Sequence, residues 1–256
     1  MPRPLKILTI TGAFYPKIDG SVIAVANQAR SLSARGHSVT ILTRGYSSGV
    51  RSETWDGIQV ERVFQRGFSL PYRFLFSLEQ VRLGLKLRKN NHFDVLHAHG
   101  FASLFTAELL RLFNSAPVVV TFHGLQRYWV VDRGLSSALK FAFMVPLEGL
   151  LARGADRVVA QSVKLKSVLI RLYRLKESKV EVIPNPIDAD RFKFHQVKHG
   201  SATVLFVGTL GRLYAPDILL RAASQVISRV PNAKFVFAGK GPLMDYSIEL
   251  SKKLGI

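Results

Sequence analysis

Residues 94–124 read DVLHAHGFASLFTAELLRLFNSAPVVVTFHG, and the fold class follows from this stretch. A short apolar run occupies residues 94–97, apolar residues recur at helical spacing over 102–113, and a second apolar run covers 117–122. Short apolar runs separated by a helical segment favour a strand, a crossover helix and a second, parallel strand. The stretch therefore predicts one β-α-β unit of an α/β sheet.

The same alternation continues on both sides of this stretch. Further strands are predicted at 6–11, 39–43, 157–160 and 180–183, and further helices at 22–35, 76–89, 136–151 and 163–173. A turn at Gly57, between residues 54–55 and 58–64, predicts an antiparallel pair or an edge strand. Together these elements predict a Rossmann-like first domain over residues 1–190, with a parallel sheet and helices on both faces.

The pattern stops and then restarts near the C-terminus. The polar residues 191–202 predict a linker. Beyond it, strands are predicted at 203–207 and 234–238, and helices at 216–230 and 243–254. Because an open parallel sheet normally has about five or six strands, residues 203–256 predict an incomplete second Rossmann-like domain.

The composition limits the class of protein. The hydrophobic fraction of 48% is sufficient for a buried core, and there is no cysteine for a disulfide framework or a thiolate metal site. No apolar stretch reaches the roughly 20 residues of a membrane span, and the N-terminus lacks a signal-peptide pattern. A cytoplasmic protein is therefore expected.

The charge is strongly basic. Lys and Arg outnumber Asp and Glu by 36 to 17, which gives a net charge of +19 and predicts an anionic partner. Basic residues concentrate in 164–179 and, together with aromatic residues, in 62–89. The second of these stretches fits either docking on an acidic membrane surface or an ordinary solvated helix with core aromatics. Because no nucleic-acid-binding motif accompanies the charge, no nucleic-acid partner is expected.

Ligands of open α/β sheets bind beyond the carboxyl ends of the strands, so the loops there hold the candidate residues. The first loop contains Gly12, Asp19, Gly20 and Ser21 immediately before a helix. Its glycines fit either a tight turn or a backbone approach to a phosphate at the helix N-terminus. Two further loops carry Ser162, a natural helix N-cap, and the sequence from Gly239 to Pro242.

Three histidines lie at neighbouring strand ends. They are His97 and His99, on either side of Ala98, and His123, which precedes Gly124. His97 and His99 are expected on opposite faces of their strand, and no carboxylate cluster accompanies them, so no metal site is predicted. Hydrogen bonds to a substrate or phosphate are expected instead, with His123 the better candidate and His97 a satisfied buried histidine.

In this order, the segments resemble the motifs of the GT-B-fold retaining glycosyltransferases of family 4. The matching motifs are Phe14–Tyr15–Pro16, Asp19–Gly20–Ser21, Asp94 with His97, His99 and Gly100, Thr121 with His123 and Gly124, and the runs 155–162 and 183–192. The resemblance covers the whole chain and implies a GT-B fold with a nucleoside diphosphate sugar as donor and no cofactor. It implies transfer with retention to a glycan, lipid-linked or cell-envelope acceptor. A sugar-nucleotide epimerase shares the architecture but fits these motifs less well.

The resemblance also implies roles for individual residues. Gly20 and Ser21 would approach the donor diphosphate through their backbone amides, and His123 would be the catalytic residue beside the transferred sugar. The remaining donor-site residues that it implies are His99, Gly124, Gly208, Arg212, Gly239 and Gly241.

Two departures from the family pattern leave a second interpretation open. The family places an Arg after the glycine that corresponds to Gly208 and a Lys–Gly pair five residues later, where this chain has Thr209 and Tyr214–Ala215. Arg212, in the same loop, is the candidate replacement. The family's pair of glutamates does not occur before Ile256. One expectation is that the sequence is a fragment of a longer glycosyltransferase, truncated in the donor domain. The alternative is a non-catalytic or partner-dependent binding protein, with a second chain completing the donor domain.

Overall fold

The computed structural model describes residues 3–46, 49–64, 70–90, 92–125, 135–193 and 202–256, without the side chains of 70–75, 90 and 135–144. The chain forms two compact units, Met1–Arg191 and Phe192–Ile256, which we call the first unit and the second unit. Residues 194–201 of the expected linker lie outside the described residues.

The first unit contains a single eight-stranded sheet. Its strands are β1 (Lys6–Thr11), β2 (Ser38–Arg44), β3 (Ser52–Trp55), β4 (Ile58–Val63), β5 (Val95–His99), β6 (Val118–Phe122), β7 (Arg157–Ala160) and β8 (Val180–Val182). They lie in the order β3-β4-β2-β1-β5-β6-β7-β8. All neighbours are parallel except β3, which pairs antiparallel with β4 at the sheet edge. The structure thus confirms the predicted parallel sheet with its antiparallel edge pair.

Five long helices belong to the described part of this unit. They are α1 (Gly20–Ala34), α2 (Leu70–Asn90), α3 (Phe101–Asn114), α4 (Leu135–Gly154) and α5 (Val163–Tyr173). Helix α2 begins at Leu70, not at residue 76 as predicted. Pro71 is the second residue of α2, a position that proline tolerates because the first turn needs no donor from its own N–H.

The helices cover both faces of the sheet, as expected. One hydrophobic cluster joins α1 to one face through residues such as Val25, Ala26, Ile41 and Val60. A larger cluster on the other face contains Leu42, Leu96, Val118 and Val158 from the strands, packed against α3 and α5. Strands buried on both faces have nearly continuous apolar sequences, which is why these runs are easily recognised. Among the described residues, no helix is both long and apolar enough to cross a membrane.

The second unit has a parallel pair of strands, β9 (Thr203–Val207) and β10 (Lys234–Ala238). Two helices follow them, α6 (Pro216–Ile227) after β9 and α7 (Met244–Lys253) after β10. Helix α6 ends three residues before the predicted end at 230. The order strand, helix, strand, helix agrees with the prediction for this part of the chain.

Candidate functional site at the carboxyl edge of the first sheet

Four adjacent strands of the first unit each bring a polar side chain to the same edge of the sheet. His99 is the last residue of β5, and His123 follows the end of β6. Gln161 comes directly after β7, and Asn185 lies three residues beyond β8. Because β5 to β8 are parallel neighbours, their carboxyl ends meet at one edge, where ligands of such sheets bind.

These four side chains form a continuous hydrogen-bonded series, which we call the His–amide chain. Nδ1 of His99 lies 2.9 Å from Nε2 of His123. On the other side of that ring, Nε2 of Gln161 donates to Nδ1 of His123. The same Gln161 nitrogen donates to Oδ1 of Asn185 at 2.6 Å. Both ring nitrogens of His123 therefore have protein partners.

His97 and His99 lie on the same face of β5, so the expectation that they point to opposite faces is wrong. Their ring centroids are 4.4 Å apart. The reason is the period of two in a strand, which places residues on either side of Ala98 on one face. His97 is buried, and its Nε2 lies 2.8 Å from the Thr121 hydroxyl, so it is the satisfied buried histidine that the sequence suggested.

Burial lowers the pKa of all three histidines. The loss of solvent lowers the pKa of His97 to about 4, with a smaller contribution from His123. Burial, and then His97 and His123, hold the pKa of His99 well below its usual value of 6.5. Burial also lowers the pKa of His123, although the Asp19 carboxylate acts in the opposite direction. The three rings are therefore neutral at pH 7, and they act as hydrogen-bond donors and acceptors but not as cations.

The geometry of the histidines does not resemble a metal centre. His99 and His123 direct ring nitrogens at each other, and His97 directs one at Thr121. Across the ranges that the structure describes, no group of three or more His, Asp or Glu side chains is arranged to hold a metal ion.

The N-terminus of α1 carries the predicted Gly20 and Ser21, and Asp19 caps it. Oδ1 of Asp19 accepts from the N–H groups of Ser21 and Val22 at 3.0 Å each, and from the Ser21 hydroxyl at 2.6 Å. Burial raises the pKa of Asp19, but the hydrogen bonds from Ser21 and Val22 and the charge of Lys17 outweigh it and lower the pKa. The Ser21 amide is thus engaged in the cap, and a phosphate that used this amide would displace the Asp19 carboxylate.

Gly100 and Gly124 have backbone conformations that favour glycine, with φ values of 79° and 146°. Gly100 precedes α3, donates its N–H to the Thr121 carbonyl at 3.0 Å, and accepts from the Leu104 N–H. These contacts and the positive φ account for a glycine at position 100. The glycine at position 124 allows the chain to turn directly after His123.

The glycines of the second unit are required by the close approach of two loops. A Cβ atom at Gly239 would lie 1.8 Å from the Gly208 carbonyl oxygen, and one at Gly241 would lie 2.3 Å from the Leu210 carbonyl oxygen. The loops also share backbone hydrogen bonds, including Gly208 N–H to the Ala238 carbonyl at 3.1 Å. The Gly239 and Gly241 pair therefore has a packing role, whatever ligand this edge binds.

The loop between β9 and α6, residues 208–215, is where the resemblance implies contacts to the donor, and we call it the donor loop. Ala215, where the family has glycine, has φ 44° and ψ 57°, which is the left-handed conformation. Arg212 lies in a short 3₁₀ turn, Arg212–Tyr214, and its side chain is exposed. Tyr214 is 57% exposed. The backbone of the loop thus has the conformation that glycine favours, although the side chains differ from the family pattern.

The structure also revises the view of the two basic stretches. Arg62, at the start of the first stretch, is buried, with its guanidinium bonded to Glu53 and to the Tyr15 and Arg44 carbonyls. Later in this stretch, α2 exposes Arg82, Lys86, Arg88 and Lys89, whereas Arg66 and Phe68 lie outside the described residues. In the second stretch, Lys179 donates to the Arg153 and Ala155 carbonyls at 2.8 Å each. Some of the basic residues therefore stabilise the fold.

Sequence reasoning did not assign a role to Gln161 or Asn185, although both belong to motifs that it recognised. The signal that could have found them is positional, because each lies one or two residues beyond the end of a predicted strand, at the same edge as His123. Ser162, in contrast, has the predicted capping role, since its hydroxyl accepts from the Leu165 N–H at 3.2 Å.

Comparison with known proteins gives consistent matches along the chain. The model of Glycosyltransferase Family 4 matches residues 18–191. An uncharacterized glycosyltransferase of Methanocaldococcus jannaschii is 28% identical over 271 residues, covering 98% of this chain and 67% of that protein. Curated relatives as a group are matched over 51% to 67% of their own length, so the chain spans about half to two thirds of them.

Solved structures show the same fold. Sucrose-phosphate synthase of Thermosynechococcus elongatus matches 98% of this chain and 66% of its own, with a TM-score of 0.75 at 18% identity. HepE of Anabaena, in complex with UDP and glucose, matches the same shares with a TM-score of 0.67 at 17% identity.

Proposed function

Since this chain belongs to Glycosyltransferase Family 4, we propose that it transfers a sugar from a nucleoside diphosphate sugar to a glycan, lipid-linked or cell-envelope acceptor, with retention. The observation that carries the proposal is the His–amide chain at the carboxyl edge of β5 to β8. It places neutral polar groups in series at the edge where parallel α/β sheets bind ligands. Anabaena HepE, which has the same fold, holds UDP and glucose in its crystal structure, and this supports a donor of that chemical class.

His123 is the residue that we assign to the transferred sugar. A neutral imidazole exchanges hydrogen bonds with sugar hydroxyls and does not add a positive charge that would hold the leaving diphosphate. In the free protein Nε2 of His123 is bonded to His99, so a sugar hydroxyl would take the place of His99 Nδ1. The bond can be exchanged because His123 is only partly buried, in contrast to His99.

The diphosphate needs positive potential, and the N-terminus of α1 can supply part of it. Helix N-termini carry a partial positive charge and N–H groups that point outward. The Asp19 carboxylate now occupies two of these N–H groups, and its charge is close enough to His123 to act on the pKa of that residue. We therefore expect the diphosphate to compete with the Asp19 carboxylate for the Ser21 amide, and Gly20, with no side chain, leaves room for its approach.

The experiment measures separately how the protein binds the nucleotide and how it binds the sugar attached to it. Isothermal titration of the purified chain with UDP, ADP and GDP, and with their glucose or mannose conjugates, identifies the donor. His123→Ala should weaken binding of the sugar conjugate about tenfold, the value of one hydrogen bond, and leave the parent nucleotide unaffected. His92→Ala, at an exposed histidine of the same unit, is the matched control. The proposal fails if no nucleotide sugar binds, or if both histidine variants behave alike.

A second candidate function follows from the donor loop. Thr209 and Tyr214 stand where the family has cations that neutralise the leaving diphosphate, and this favours a non-catalytic or partner-dependent binding protein. Under the catalytic proposal Arg212 supplies the missing charge, so Arg212→Ala should weaken nucleoside diphosphate binding by roughly 10- to 100-fold, because a hydrogen bond to a charged group is worth about 1.5–3 kcal/mol. The matched control is Arg229→Ala, at an exposed arginine of the same unit. Equal affinities in both variants would favour the non-catalytic function.

The exposed cations of α2 suggest how a lipid-linked acceptor could be reached. Arg82, Lys86, Arg88 and Lys89 would contact an acidic membrane surface, at about 1 kcal/mol for each charge near it. Flotation with anionic vesicles should exceed flotation with neutral vesicles, and it should fall after charge reversal at Arg82 and Lys86. Reversal of the exposed Lys252 and Lys253 in α7 is the control, and equal flotation in both vesicle types would exclude electrostatic docking.

A further inference from the structure

The His–amide chain contains two amide side chains on one side of His123, of which Gln161 bonds to the ring and Asn185 bonds to Gln161. Gln161 Nε2 meets both Nδ1 of His123 and Oδ1 of Asn185. An amide nitrogen is a donor with two hydrogens, so one hydrogen goes to the imidazole and the other to the Asn185 carbonyl. Asn185 therefore decides which end of the Gln161 amide faces His123.

This arrangement determines where His123 carries its proton. The ring is neutral at pH 7, so only one of its nitrogens is protonated. A nitrogen that accepts a hydrogen bond is the one without the proton, and here this nitrogen is Nδ1. Nε2 is then the protonated nitrogen, and it donates to Nδ1 of His99 at 2.9 Å.

The same reasoning continues one residue further. Since His99 accepts at Nδ1, its own proton lies on Nε2. Among the residues that the structure describes, this buried His99 Nε2 has no hydrogen-bond partner. From Gln161 the donors thus point one way, through His123 and His99 to the interior, while the second Gln161 hydrogen points outward to the exposed Asn185. The opposite arrangement would require both amides to turn over together.

We propose that Gln161 and Asn185 are positioning residues that hold His123 as the tautomer protonated at Nε2. This inference rests on the proposed function in one respect, that His123 meets the transferred sugar. The fixed tautomer determines whether the sugar group beside His123 must donate or accept a hydrogen bond. A hydroxyl that replaces His99 beside Nε2 has to accept the hydrogen bond through its oxygen. The two amides therefore set the specificity of His123 without contacting the ligand.

The test reads the tautomer directly in the free protein, so it does not depend on donor binding. Long-range ¹H–¹⁵N spectra of the histidine rings distinguish protonated from bare ring nitrogens. In the native protein His123 should be protonated at Nε2. Gln161→Glu replaces the donor with a carboxylate, which can only accept, so His123 should change to the tautomer protonated at Nδ1. Gln225→Glu, the same substitution at an exposed glutamine of α6, should leave the His123 signals unchanged.

Asn185 gives an independent pair of variants. Asn185→Asp keeps an acceptor for Gln161 and should preserve the native tautomer, whereas Asn185→Ala removes it and should give a mixture of both tautomers. The inference is overturned if native His123 is protonated at Nδ1, or if Asn185→Asp and Asn185→Ala give the same spectrum. A native tautomer as expected in a protein that binds no nucleotide sugar would support the positioning role and refute the proposed function, so the two failures are distinguishable.

Discussion

Glu148 lies in α4 with 2% of its surface exposed, and its carboxyl group accepts a hydrogen bond from the Tyr173 hydroxyl. Burial raises the pKa of Glu148 from its ordinary 4.5 to about 7, and the Tyr173 hydrogen bond offsets only part of this effect. Glu148→Gln replaces the carboxyl group with a neutral group of the same shape that can still accept from Tyr173. The substitution should therefore change the pH dependence of stability more than the packing.

The sign of the pH dependence of stability follows from proton binding by Glu148 in the native and unfolded states. Between pH 4.5 and about 7 native Glu148 keeps its proton, whereas the unfolded chain loses it, so the free energy of unfolding falls as the pH rises. The fall is about 1.4 kcal/mol for each pH unit, or about 3 kcal/mol over the window, and it is complete above pH 7. Glu148→Gln lacks this contribution, so its stability relative to the native protein should increase by that amount between pH 4.5 and 7. The buried histidines, whose pKa values are lowered, change stability in the opposite direction, but they are common to both proteins and cancel.

Urea unfolding at half-unit pH intervals measures the difference. Trp55 in β3 belongs to the first unit, so its fluorescence reports on the unit that contains Glu148. Glu181→Gln, at an exposed glutamate of β8, is the control and should show no such window. A constant difference between Glu148→Gln and the native protein at every pH would refute the reasoning, because it would mean that native Glu148 is ionised throughout.

Three further substitutions test contacts elsewhere. Arg62→Ala should lower the free energy of unfolding of the first unit by about 3 kcal/mol, because it leaves the partners of a buried guanidinium unpaired, and urea unfolding should show no comparable loss for the exposed Arg51→Ala. Gly239→Ala should destabilise the second unit by about 3 kcal/mol, because the new Cβ would lie 1.8 Å from the Gly208 carbonyl oxygen, and unchanged hydrogen exchange in both strands of that unit would contradict this. Ala215→Gly should raise the free energy of opening measured by the same exchange by about 1 kcal/mol, because it relieves a left-handed backbone at φ 44°. Faster exchange would argue against strain at this position.

The helices and strands of the first unit could be read from local patterns. Helix α5 has the predicted bounds, and the apolar run that ends at Phe122 forms β6 as expected. Strands buried on both faces have apolar sequences whatever their neighbours are, so their positions do not depend on the rest of the fold. The start of α2 was predicted six residues late, although the apolar residues Leu70, Phe74 and Leu75 precede Phe76.

The candidate site was predictable only in part. His99 and His123 could be placed at an edge because each lies just beyond the end of a predicted strand. The expectation that His97 and His99 point to opposite faces applied the strand periodicity wrongly. The period of two places them on the same face, so the sequence alone was sufficient to predict this. The glycines at 239 and 241 were open to a ligand role until the structure placed them against the carbonyl oxygens of another loop.

The sequence by itself determined the order of helices and strands, the family, and the segments that reach the binding edge, because these depend on residues close together in the chain. Tertiary structure decided which of those segments meet. His123 and Asn185 are far apart in sequence, and only the strand order β5-β6-β7-β8 brings them to the two sides of Gln161. It also decided the charge states, since burial holds the histidines neutral and raises the pKa of Glu148. Hydrogen bonds and desolvation act over a few ångströms in space, and strand order sets those distances.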